Sequence, residues 1–140
     1  MPGVHDDWMT IRDWSAAELE SIAAAEELRI AVRRKDGSLR PAVPIWVVVA
    51  AGGVYVRTWY RRDSGWFGRV LASRRARIEV PRVVADVVVD DVGAGEPDLR
   101  TAVDAAYRAK YARYGAGTID RMIGDDAAAT TLGLMPDELS

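Results

Sequence analysis

The chain has no cysteine, a single histidine and only two lysines, Lys35 and Lys110. Without cysteine there is no disulfide, no thiolate nucleophile and no thiolate metal ligand. The histidine, His5, sits in a polar N-terminal segment. A Ser-His-Asp arrangement or a His-rich metal site would have to recruit it from the least ordered part of the chain, so no metal is expected. A long apolar helix is missing as well. Pro41 to Val56 carries no charge, but Pro41, Pro44 and Gly52-Gly53 punctuate it, so it reads as a hairpin too short for a membrane span. The N-terminus, with His5, Asp6 and Asp7, has no apolar leader, and the expectation is a soluble, cytoplasmic protein with no membrane partner. A net charge of -2 and a pI near 5.4 leave no electrostatic footprint for nucleic acid.

What is present fits one domain spanning residues 1–140, with 1–13 as a flexible arm. Ser15 followed by Glu18 is a capping box, and Trp14 before it can staple onto Leu19, so a helix starts here and runs to about Glu26. Strand alternation follows over about Glu27 to Arg34, then an Asp36-Gly37 turn. Val43 to Ala50 does not alternate. Ile45 to Val49 is wholly apolar, so both faces of this expected strand need a cover, the barrel interior on one side and a helix or a partner subunit on the other. Gly52-Gly53 turns the chain into a strand over Val54 to Trp59, and a short helix over about Ser64 to Ala72 is weakened by Gly65 and Gly68. A Pro81-Arg82 turn joins strands at Arg75 to Val80 and Val83 to Val92. A long helix is expected from Pro97 to Tyr114, and a last strand from Ala128 to Leu134. Strands mostly in hairpin order, with helices at both ends and one inside, describe an α+β fold built on a small antiparallel barrel.

Charge is unevenly placed. Arg57, Arg61, Arg62, Arg69, Arg74, Arg75, Arg77 and Arg82 face only Asp63 and Glu79 within their stretch, and an acidic stretch follows from Asp86 to Asp98. Two readings are open. The charges are solvated faces paired across the sheet, or the basic end is an anion site. In favour of the second, Tyr55, Arg57, Trp59 and Arg61 share one strand face, and Asp63 or Ser64 caps the next helix, whose first N–H groups suit a phosphate. Trp59, Tyr60, Trp66 and Phe67 crowd the same junction, enough to dock the short helix and leave a wall for a ring. Val103, Tyr107, Tyr111 and Tyr114 form a helical stripe that reads as a docking face, with Lys110 beside it. Asp90 and Asp91, adjacent on a strand, point to opposite faces and do not form a dyad.

Three segments carry a resemblance that runs from about Trp14 to Leu134: WSAAELESIAAAEELRIAV at the start, VPIWVVV…GGVYVRT…DSGWFGRVL in the middle, and DAAYRAKY at Asp104 to Tyr111. Together they resemble a small bacterial family of unknown function. More distantly the chain is similar to the flavin- and deazaflavin-binding split barrels, which include pyridoxamine phosphate oxidases and deazaflavin-dependent nitroreductases. That resemblance implies a split barrel with an N-terminal helix, one short inserted helix and a long C-terminal helix. It implies FMN or a deazaflavin as cofactor, and a homodimer with the ligand at the shared interface. It makes Arg57 and Thr58 phosphate contacts, brings Arg61, Ser64 and Arg69 to the same site, and sets Trp66 near the ring or the subunit partner. The implied activity is an oxidoreductase acting on a small organic substrate; the alternative is a cofactor-free barrel for a small metabolite, or a non-redox biosynthetic enzyme. Gly68 departs from the pattern, standing where the larger families often have a polar residue, and their usual basic strand triplet is missing. On this reading Arg57→Ala weakens ligand binding and leaves the fold intact.

Overall fold

A computed structural model of the chain describes residues 11–58 and 65–137. Its first helix, α1 (Ala16–Ala24), begins where the capping box placed it. The Ser15 hydroxyl accepts from the Glu18 N–H at 3.1 Å, and the Glu18 carboxylate accepts from the Ser15 N–H at 2.8 Å. Arg12 forks onto both oxygens of that carboxylate, and this pairing, helped by the Ser15 N–H, holds Glu18 down to a pKa of about 2. Trp14 is buried, and its indole N–H donates to the Leu134 carbonyl at 2.8 Å, which ties the helix entry to the end of the chain. Residues 1–10 lie outside the described residues. Ile11 bridges Asp137, and the Arg12 N–H donates to the Pro136 carbonyl at 2.9 Å.

The strands are β1 (Leu28–Val32), β2 (Val43–Ile45), β3 (Val48–Ala50), β4 (Gly53–Val56), β5 (Arg75–Val80), β6 (Val83–Asp91) and β7 (Leu132–Pro136). They form one antiparallel sheet in the order β2-β1-β5-β6-β7-β4-β3. That order dictates curvature. β2 and β3 are the two edges, yet only Trp46 and Val47 separate them, and three Cα steps span at most about 10 Å. The sheet therefore curls until its edges approach, giving a split barrel of class α+β. Leu28, Ile30, Val54, Ile78, Val87 and Leu134 fill its interior, with Ile22 of α1 and Phe67 and Val70 of α2 (Gly65–Ser73) closing it. A second apolar layer lies outside. There α3 (Pro97–Tyr111) and α4 (Ala116–Ile123) lay Val103, Tyr107, Tyr111, Ile119 and Met122 against Val48 and Ala50 of β3. The outer face of β3 is thus covered by the chain's own helix.

Several boundaries differ from the sequence expectation, β4 ending at Val56 among them. The single strand expected over Val43 to Ala50 is two, because the chain leaves β1 after Ile45 and crosses to β4. At the crossing, side chains of α3 replace ladder bonds. The Val47 N–H donates to the Tyr111 hydroxyl at 3.1 Å, and the Lys110 ammonium donates to the Val47 carbonyl at 2.7 Å. The long helix ends at Tyr111, with a 3₁₀ turn over Ala112–Tyr114. The last strand starts at Leu132 because a short helix, α5 (Asp125–Ala128), occupies the residues before it. Thr130 and Thr131 bond back through their hydroxyls to the Ala127 and Ala128 carbonyls at 2.6 and 2.7 Å, holding that turn closed. The β3–β4 hairpin turns on Ala51 and Gly52, both at positive φ as a type I′ turn requires. Among the described residues no helix is long and apolar enough to cross a membrane.

Candidate functional site

The end of β4 delivers Arg57 and Thr58 to the junction of barrel and helices. Arg57 is buried, its guanidinium fully so, and it joins four parts of the chain. Nε donates to the Thr131 hydroxyl at 2.8 Å, and Nη1 donates to the Asp104 carboxylate of α3 at 2.6 Å and to the Met122 carbonyl of α4 at 2.9 Å. The guanidinium carbon lies 5.6 Å from the centre of the Tyr107 ring. Among the described residues, the buried Nη2 has no hydrogen-bond partner. A buried donor left unmade is costly.

The same junction borders a cavity of about 500 Å³ lined by Arg57, Thr58, Trp46, Trp66, Thr118, Arg121 and Met122, with Glu27, Pro44 and Ile45 completing the wall. Thr58 is fixed by Thr130: its N–H donates to the Thr130 hydroxyl at 2.9 Å, and the single proton of that hydroxyl is shared between the Ala127 carbonyl at 2.6 Å and the Thr58 carbonyl at 2.9 Å. Trp66, half-buried on α2, meets Phe67 edge to face at 5.6 Å. Trp46 stacks flat on Tyr111, ring centres 4.0 Å apart. Charge in this region is balanced, since Asp104 compensates Arg57 and also lies 3.6 Å from Arg100, which pairs with Asp125 at 2.9 Å.

Of the residues expected from the sequence, Arg57, Thr58 and Trp66 share this cavity. Arg69 is exposed on α2 and is not part of its lining. Arg61 and Ser64, together with Trp59 and Tyr60, lie outside the described residues. Burial gives Arg57 a role the sequence reading did not foresee. Truncating a guanidinium with three bonded partners disturbs the fold as well as any ligand.

Other expectations are resolved by contacts. Arg77 and Arg33 both reach Asp86 at 2.9 Å, and Arg75 reaches Asp137 at 3.0 Å, so part of the basic stretch is paired across the sheet. Lys110 serves the frame, donating to the Val47 carbonyl and, at 3.3 Å, to the Ile22 carbonyl at the end of α1. Burial pushes its ammonium down to about 8. Burial also raises Tyr107, and raises Tyr111 to about 12, so both phenols stay protonated. Neither lines the cavity. Trp46, Thr118, Arg121, Met122 and Glu27 were missed. The one signal available for two of them was Thr118 and Arg121 three apart on a short helix whose Ile119 and Met122 face inward.

Fold and site together define a split β-barrel with a ligand-sized, aromatic-walled cavity beside a buried arginine. The chain belongs to the family described as "Uncharacterized protein conserved in bacteria (DUF2255)", whose model matches residues 18–134. The barrel is similar in fold to an FAD-binding protein from Mesorhizobium loti, with TM-score 0.53 and 19% identity over 91% of this chain and 93% of that one. The heme storage protein of Vibrio cholerae aligns with TM-score 0.59 and 12% identity, over 90% and 92% of the two chains. A conserved hypothetical protein from Mycobacterium tuberculosis aligns with TM-score 0.56 and 16% identity, over 90% and 81%. At these identities the likeness is one of fold and bears out the split barrel, while the family match bears out the bacterial family expected from the sequence. No curated protein matches the chain.

Proposed function

We propose that the cavity beside Arg57 binds a small planar ligand carrying a phosphate, of the FMN or deazaflavin class. The observation that carries this reading is a cavity of about 500 Å³, a volume that suits a small ligand, whose lining brings Arg57 and Thr58 together with Trp46 and Trp66. The donor set fits the group. Arg57 and Thr58 offer a cation and a hydroxyl for phosphate oxygens, and Trp66 and Trp46 offer apolar surface for a ring. Arg61 and Ser64, next along the chain, belong to the same proposal; Arg69, exposed on α2, would join only through a second copy. A bound flavin or deazaflavin supplies hydride transfer, and on that basis the protein is an oxidoreductase for a small organic substrate. The chain's own residues bind, orient and shield the ring.

A homodimer with the ligand at its interface is part of this proposal. Since α3 covers β3, its support is no longer the apolar run but the open mouth where Pro44, Ile45, Trp46 and Trp66 are still partly exposed. Light scattering at micromolar concentration should give twice the chain mass, and monomer alone would remove the interface. A second reading is a cofactor-free barrel for a small metabolite, favoured by the compensation of Arg57 by Asp104 and by the presence of Glu27 in the cavity lining. Titration of the protein with FMN and with a deazaflavin, followed by ligand fluorescence, separates the two. Saturable binding that weakens as salt rises supports the cofactor reading. No saturation by either ligand leaves the metabolite barrel.

A further inference from the structure

We infer that α4 carries the outer half of the ligand site, with Thr118 and Arg121 contacting an anionic phosphate at the cavity mouth while Arg57 holds the inner end. The inference rests on the cavity reading above and adds residues to it. α4 is amphipathic in an unusual place. Ile119 and Met122 are buried against α3 and β3, whereas Thr118 and Arg121, one turn apart, are exposed and line the cavity.

The helix is held where it can do this. Arg57 Nη1 donates to the Met122 carbonyl at 2.9 Å and Arg100 Nη2 donates to the Ile123 carbonyl at 3.1 Å, so two guanidiniums satisfy its C-terminal carbonyls. One residue, Arg57, thus positions α4 and shares with it the lining of the cavity. The two arginines differ in what they can offer. Arg57 is buried and its charge is matched by Asp104, which suits a single oxygen at the closed end. Arg121 meets solvent at the mouth, where a doubly charged phosphate keeps part of its hydration. The ligand class is therefore a ring bearing a phosphate on a short arm, with the arm directed toward α4.

The test compares FMN with riboflavin, which lacks the phosphate, and uses inorganic pyrophosphate as a third probe, all read by quenching of tryptophan fluorescence in the full chain. Arg121→Ala should weaken FMN about tenfold and leave riboflavin unchanged, and Thr118→Val should weaken FMN several-fold. Pyrophosphate should bind wild type and lose affinity with the same Arg121→Ala variant. FMN affinity unchanged in Arg121→Ala overturns the inference and leaves the cavity reading standing. Pyrophosphate binding that depends on Arg121, with no flavin binding, keeps the anion contact and removes the flavin. Silence from all three probes overturns both. Circular dichroism of Arg121→Ala must match wild type, which an exposed residue should satisfy.

Discussion

Arg57→Ala is the perturbation with the best-defined consequence. The change removes three hydrogen bonds at 2.6 to 2.9 Å and one side of an ion pair whose arginine is wholly buried. Breaking a buried pair by deleting one partner costs about 3–5 kcal/mol. The lower end applies here, because Asp104 keeps Arg100 at 3.6 Å and is itself partly exposed, and because the Thr131 hydroxyl keeps its bond to Ala128. The expected loss is about 3 kcal/mol, a large share of the ~5–15 kcal/mol that holds a typical domain together. Urea unfolding followed by tryptophan fluorescence measures it, and amide exchange should quicken in α4, whose Met122 carbonyl loses its donor. Asp104→Asn completes a double-mutant cycle, and the two changes should be less than additive by about 0.5–3 kcal/mol. A loss below about 1 kcal/mol, the worth of an ordinary hydrogen bond, would refute the placement of Arg57 as the tie between β4, α3 and α4.

Tyr111→Phe should cost about 1–3 kcal/mol in the same assay, because the hydroxyl accepts from the Val47 N–H and donates to the Glu26 carbonyl at 2.6 Å, and its removal strands a buried backbone donor at the β2–β3 crossing. Stability should rise with pH from about 8 toward 10. Lys110 titrates near 8 in the folded chain against an ordinary 10.5, so in that window the unfolded chain binds a proton that the native one has released. Above about 10 the trend reverses, since unfolded tyrosines ionise while Tyr107 and Tyr111 hold their protons, and Lys110→Met should flatten the rise alone. The whole chain, residues 1–140, should unfold in a single transition with fluorescence and far-UV circular dichroism coinciding, and two separated transitions would divide it.

Local signals carried much of the fold into the sequence. Ser15 and Glu18 marked α1 because a capping box is made within four residues, and Asp36-Gly37 and Pro81-Arg82 marked hairpins because turns are local. The break at Trp46-Val47 left no trace, since an unbroken apolar run looks alike whether it stays beside one neighbour or crosses between two. What replaces the missing ladder bonds, Tyr111 and Lys110, stands more than sixty residues away. The site shows the same division. Arg57, Thr58 and Trp66, which the resemblance named, meet at one cavity, but the ion pair with Asp104 and the arrival of Thr118 and Arg121 depend on how α3 and α4 dock. Arg57 therefore read as a surface anion contact, when its first task is to join buried elements.

The central claim is that a phosphate-bearing ring occupies the cavity between Trp46, Trp66 and Arg57. A crystal structure of the protein grown with saturating FMN tests it most directly. The account expects the ring against the two tryptophans and a phosphate oxygen within hydrogen-bonding distance of Arg57 or Thr58. Density for FMN elsewhere on the molecule, with this cavity filled only by water, would contradict it.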